Sequence, residues 1–139
     1  MFVLNQVEYL NILRPLNVLD NNEIHISYFF LTGSYLTPVE KNTLKELSIN
    51  GRIFVFDQSN DFFNFSRKVN LNESKLSITD LSSVFYALNN NYPIITDCNH
   101  LAKFSRKLDI KIVEIDQALE ELKISREKIE YFKSIRKII

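Results

Sequence analysis

A chain of 139 residues is long enough to bury one substantial core and too short for two comfortable ones. Seventeen Lys and Arg balance seventeen Asp and Glu, so no global field draws the protein onto nucleic acid or an anionic membrane. The single cysteine, Cys98, excludes an internal disulfide and a CxxC metal pair, and no apolar run approaches the roughly 20 residues of a membrane span.

Phe2 to Leu4 is a candidate first strand, and Val7, Leu10, Ile12 and Leu13 give a short helix that Pro15 stops or kinks. The opening Met1-Phe2-Val3-Leu4 lacks the basic flank of a signal peptide and meets Asn5, Gln6 and Glu8 at once, which fits a cytoplasmic protein with no membrane attachment. Asp20 to Glu23 is turn chemistry. Ile24-His25-Ile26 then alternates toward a second strand, Ser27 can cap the next segment, and Tyr28 to Leu31 reads as a short buried helix broken by Gly33 and Ser34. Thr37-Pro38-Val39-Glu40 is a helix start, with a Thr N-cap, Pro in the first turn and Glu three residues after the cap. Leu44 and Leu47 continue that helix until Asn50-Gly51 ends it. Arg52 to Phe56 alternates Ile53 and Val55 against Phe54 and Phe56, the pattern of a third strand or an edge segment. Asp57 to Asn72 is polar with Phe62, Phe63 and Phe65 embedded, and reads as a short helix flanked by loops. With two glycines and fifteen asparagines, turns fall mostly to Asn, which tolerates left-handed backbone better than other non-glycine residues.

The stretch from Lys75 to Val113 is a complete helix, strand, helix, strand unit. Leu81, Val84, Phe85 and Leu88 recur at helical spacing, and Pro93 to Thr96 is a short apolar run between the Asn89 to Asn91 turn and Asp97. Leu101, Phe104 and Leu108 repeat the helical spacing, and Ile110, Ile112, Val113 and Ile115 form a β-branched run. A helix crossing between two short apolar strands argues for a parallel sheet covered on both faces. From Asp116 onward two helices are expected, broken near Ile124, with Ser125 capping a C-terminal helix over 125–139 that aligns Ile129, Phe132 and Ile139. Lys123, Arg126, Lys128, Lys133, Arg136 and Lys137 make this the most basic part of the chain. They form either the solvated face of a docked helix or a surface for RNA phosphates or an acidic partner, while the apolar stripe of Ile129, Phe132 and Ile139 would face a partner or a second copy in a homodimer.

Acids stand at both turns of the central unit. Asp80, three residues after Ser77, closes a capping box, and Asp97 ends a strand before a helix start. Beside them Cys98 reads as a small apolar filler and His100 as a surface residue at a helix start, while His25 reads as structural in mid-strand. No Ser-His-Asp pattern, Gly-rich phosphate loop or metalloprotease motif is present.

Leu76-Ser77-Ile78-Thr79-Asp80-Leu81-Ser82-Ser83 followed by Ala87, then Ile94-Ile95-Thr96-Asp97 and Leu101, resembles the second half of PIN domains. Those are small metal-dependent ribonucleases, often the toxins of bacterial toxin–antitoxin pairs. Glu114 to Leu122 also resembles the tail of short bacterial PIN proteins. The resemblance implies a single three-layer α/β/α domain over residues 1–139 with a central, mostly parallel sheet of four or five strands. It also implies Mg²⁺ or Mn²⁺ held by carboxylates, an RNA substrate and an antitoxin-like protein partner.

Carried over by position, the family's third acid is matched by Asp80, whereas the first falls on Asn5 and the second on Gly33. Glu46 serves as the second if the helix from Thr37 to Leu47 carries it, and the fourth falls on Cys98 with Asp97 one residue early. A neutral amide, a glycine and a soft thiol are poor replacements for carboxylates on a hard cation. The resemblance therefore implies a PIN-like protein whose acidic centre has decayed, with weak or no ribonuclease activity and a role in binding RNA or protein. The alternative is an active Mg²⁺- or Mn²⁺-dependent single-strand ribonuclease with Asp80, Asp97 and Glu46 as its catalytic residues, Asp80 and Asp97 holding the metal. A third reading is a structural interaction module built on the 125–139 helix.

Overall fold

The computed structural model of the chain describes residues 1–6, 9–10, 24–33, 36–70, 76–121 and 125–136. Five short strands, β1 (Phe2–Leu4), β2 (Ile24–Ser27), β3 (Ile53–Phe56), β4 (Ile94–Ile95) and β5 (Ile112–Val113), form one sheet in the order β3-β2-β1-β4-β5. Every pairing is parallel, with Phe2 opposite Ile24, Ile24 opposite Ile53, Val3 opposite Ile94 and Ile94 opposite Ile112. The expectation of a mostly parallel sheet of four or five strands is met by five, all parallel.

Because side chains alternate across a strand, these strands feed two cores at once. Phe2, Leu4, Ile24, Ile26, Ile53, Ile95 and Val113 enter one, and Val3, Phe56 and Ile94 enter the other. The first core is covered by α2 (Pro38–Ile49) through Leu44 and Leu47, by α6 (Ile115–Glu121) through Ala118 and Leu119, and by α7 (Arg126–Arg136) through Ile129. The second is covered by α3 (Asn60–Asn70) through Phe62, α4 (Ile78–Asn90) through Leu81, Val84 and Ala87, and α5 (Asn99–Lys107) through Leu101. A single turn, α1 (Phe29–Thr32), follows β2 and buries Phe30. The result is a three-layer α/β/α domain.

Local chemistry sets the helix ends. Thr37 caps α2 and Ser77 caps α4, each closing a reciprocal capping box with the residue three further on, Glu40 and Asp80. Asn91 ends α4 in the left-handed conformation at φ 58°, and Gly51 leaves α2 at φ 71°, so one Asn and one Gly supply the backbone that most side chains resist. The Ser125 hydroxyl accepts from the Lys128 N–H at the start of α7.

Three sequence expectations change. Ile115 does not extend β5: the Glu114 carbonyl accepts from the Ala118 N–H, so the chain turns straight from Val113 into α6. Leu88 is 40% exposed and Ala87 takes its place in the core, so α4 buries Leu81, Val84 and Ala87. The helix within Asp57 to Asn72 is a full three turns, Asn60–Asn70. Of the expected Val7 to Leu13 helix only Tyr9 and Leu10 are described. The stop at Pro15, the Asp20 to Glu23 turn, the break at Ile124 and Ile139 lie outside the described residues. Among those described, no helix is long and apolar enough to cross a membrane.

Candidate functional site

From β1 the chain builds β2 and β3 to one side, then crosses to build β4 and β5 on the other. The carboxyl ends of β1 and β4 therefore flank a topological switch point, where open α/β sheets place their sites. Asn5 closes β1 there, Thr96 and Asp97 close β4, and the capped first turn of α4 delivers Asp80 against them.

Asn5 is 8% exposed and its amide is fully engaged. Its Nδ2 donates to Asp80 Oδ1 at 2.8 Å, and its Oδ1 accepts from the Ser83 hydroxyl at 2.6 Å. An ionised carboxylate only accepts, so the amide nitrogen must be the atom turned toward Asp80. The other oxygen, Asp80 Oδ2, accepts from the Ser77 N–H at 3.1 Å, while the Ser77 hydroxyl accepts from the Asp80 N–H at 3.1 Å. Both Asp80 oxygens thus have donors from within the chain.

A second hydroxyl network lies beside the first. Ser82 Oγ donates to the Thr79 carbonyl at 2.6 Å, so its single proton is spent and the 2.6 Å contact to Ser27 Oγ must be donated by Ser27. Ser27 Oγ in turn accepts from the Phe29 N–H at 3.3 Å and from Gln58 Nε2 at 3.5 Å. Thr79, Ser82 and Ser83 are all buried, so α4 presents a polar edge to the ends of β1 and β2 with its hydrogen bonds satisfied.

Asp97 is exposed and belongs to a clasp between two loops. The Tyr9 hydroxyl donates to Asp97 Oδ2, and the Asp97 N–H donates to Gln6 Oε1. Asp80 and Asp97 therefore engage consecutive residues, Asn5 and Gln6, one acid through an amide and the other through its loop. Cys98 N-caps α5 without a side-chain bond; its N–H donates to Thr96 Oγ1 at 3.1 Å, and its thiol packs half-buried against the second core. His100, in the first turn of α5, is exposed.

The remaining sequence candidates lie elsewhere. Gly33 is the C-cap of α1 in an extended conformation, φ −81° and ψ 178°, which any residue could adopt. Glu46 is exposed on the third turn of α2, about 12 Å along the axis from the helix start at Pro38 and toward the opposite edge of the sheet. Among the described residues no three His, Cys, Asp or Glu side chains are placed to hold a metal ion, so Asp80, Asp97 and Glu46 do not form one cluster. The donor set does not fit Mg²⁺ or Mn²⁺ either. The group nearest Asp80 is an N–H donor, which a cation cannot use as a ligand.

His25 lies on the same face of the sheet as α4, 7% exposed, with its Nδ1 2.7 Å from the Tyr86 hydroxyl and the rings of Phe54 and Tyr92 at 5.2 and 5.3 Å. Tyr86 stacks on Phe56 at 3.8 Å and 3°. Burial, then the neighbouring Tyr92, raise the Tyr86 phenol above its ordinary value. Tyr9, Gln6, Ser27 and Ser83 complete the carboxyl-edge networks; Ser83 closes the Leu76 to Ser83 stretch, and no motif in the sequence marks the other three. No family model, curated protein or solved structure matches this chain.

Proposed function

We propose that this chain is a PIN-like domain whose acidic centre has decayed into a hydrogen-bond network in which donors of the chain itself satisfy Asp80. It does not hydrolyse RNA, and it works in the cytoplasm by binding a protein partner at the carboxyl edge of its sheet. The observation that carries this reading is the Asn5 amide, held between Asp80 and Ser83 at 2.8 and 2.6 Å where a nuclease of this type needs a carboxylate. Phosphodiester hydrolysis at such a centre requires cations held by several carboxylate oxygens, to activate water and to neutralise charge on the phosphate. Here the amide stands between Asp80 and Ser83 and donates to the carboxylate that would otherwise call for a cation. The strand order and the motif from Leu76 to Leu101 support the family likeness.

Charge separates the partner classes. Glu40, Asp57, Asp61, Asp80, Asp97 and Glu114 all stand at the carboxyl ends of the strands or in the first turns of the helices after them. Without bound cations that edge repels a phosphate backbone and attracts a cationic protein surface. Incubating single-stranded RNA with the full chain in Mn²⁺, beside Asp80→Asn, tests the reading. Equal and negligible cutting by both is expected; cutting by the wild type that the substitution abolishes would make the protein a nuclease.

A further inference from the structure

Two helices over the second core end in the same way and in the same place. The Tyr92 N–H donates to the Ala87 carbonyl at the end of α4, and the Ile110 N–H donates to the Ser105 carbonyl at the end of α5, both at 3.0 Å. One residue before each donor, Asn91 and Asp109 take the left-handed conformation at φ 58° and 60°, and among the described residues no other non-glycine does. A left-handed residue followed by an N–H that reaches back past the last turn is the closure that satisfies the final carbonyls of a helix. The Ile94 N–H then donates to the Lys111 carbonyl at 2.9 Å and ties the two turns together where β4 and β5 begin.

Between these turns lies a cavity of about 270 Å³. Leu88, Tyr92, Pro93 and Ile110 supply the apolar part of its wall, and Asn91, Asp109 and Lys111 the polar part. Because both helices finish here, the negative ends of two helix dipoles open on the same space. Asp109 adds a carboxylate that is exposed and, among the described residues, makes no side-chain hydrogen bond or ion pair. Lys111 does not cancel that charge, since its Nζ lies 3.4 Å from Glu121 Oε1 and is met by α6. Arg106 and Lys107, in the last turn of α5, are exposed and lie outside the lining.

We propose that this cavity is a binding site for a small organic ammonium ion, its charged head at Asp109 and the two helix ends and its apolar body against Leu88, Tyr92 and Pro93. A protonated nitrogen donates to a carboxylate and to helix-end carbonyls, whereas a carboxylate ligand would meet both with the wrong sign. Both turns are closed by backbone bonds before any ligand arrives, so the wall is formed in advance. The site lies at the amino edge of the sheet, away from the Asn5 and Asp97 networks, and does not depend on the function proposed for them.

Titration of the isotope-labelled full chain with phenethylammonium chloride, read by amide chemical shifts, tests it. The signals of Leu88, Asn91, Asp109 and Lys111 should move together and saturate with a Kd of about a millimolar, the affinity that a ligand of this size can reach. Phenethyl alcohol keeps the ring and loses the charge, and phenylacetate reverses it; each should bind about tenfold more weakly or worse. Asp109→Asn keeps a residue that tolerates the left-handed backbone, so the variant should fold as the wild type does, checked by its amide spectrum. It should weaken phenethylammonium about tenfold and leave phenethyl alcohol unchanged. Shifts that never saturate or that spread over the whole surface, phenylacetate binding as tightly, or an Asp109→Asn variant that binds like the wild type would each overturn the proposal. RNA cutting abolished by Asp80→Asn would overturn the proposed function instead and leave this site untouched.

Discussion

An amide nitrogen in place of a carboxylate oxygen lets Asn5 donate to Asp80 rather than repel it. Asn5→Asp would put two carboxylates at hydrogen-bond distance in a site 8% exposed, where they must share a proton or a cation. That variant should lose about 1–3 kcal/mol of stability in the absence of divalent metal and regain part of it in Mn²⁺. Thermal melting with and without Mn²⁺ reads this directly, and the wild type should not respond. On the same face of the sheet, Tyr86→Phe removes the hydroxyl 2.7 Å from His25 Nδ1 and should cost about 0.5–1.5 kcal/mol. Its pH dependence has a definite sign. The folded phenol titrates above its unfolded value of 10.0, so the stability it contributes is complete below that pH and is lost as pH rises through the folded value. Urea midpoints should therefore fall less steeply above pH 10.0 in Tyr86→Phe than in the wild type.

Helix boundaries were the most readable elements, because their determinants are local. Thr37-Pro38-Val39-Glu40 and Ser77 to Asp80 each carry their own cap within four residues, and both boxes form. Ser77→Ala should cost about 1 kcal/mol and leave the Asp80 N–H without its side-chain acceptor, measurable by chemical denaturation. Gly51→Ala should cost about 1 kcal/mol for a different reason: at φ 71° an added Cβ meets no atom within 4 Å, so the whole penalty is conformational. Tertiary competition overrode local pattern at other places. Ile115 has the β-branched side chain of a strand, yet the Glu114 carbonyl starts a helix before it can pair. Leu88 keeps helical register with Leu81 and Val84, yet it lines a surface cavity with Asn91, Tyr92 and Lys111 and stays 40% exposed.

Across the whole molecule, the acids of the site could be picked out from the sequence and their partners could not. Asp80 and Asp97 stand at turns that local pattern identifies. Asn5 meets Asp80 across 75 residues and Ser83 across 78, and Tyr9 meets Asp97 across 88. Only the return of β4 to the side of β1 creates those contacts, and no local signal encodes it. The crossover also explains why acids gather at this edge. The switch point gathers the starts of several helices, and the Asn5 amide donates to the Asp80 carboxylate that would otherwise call for a cation. Calorimetric titration of Mn²⁺ into the full chain, with Asn5→Asp alongside, tests most directly whether the Asn5 amide stands in for a cation beside Asp80. The wild type should give no saturable heat while Asn5→Asp binds; saturable binding by the wild type that Asp80→Asn removes would contradict it.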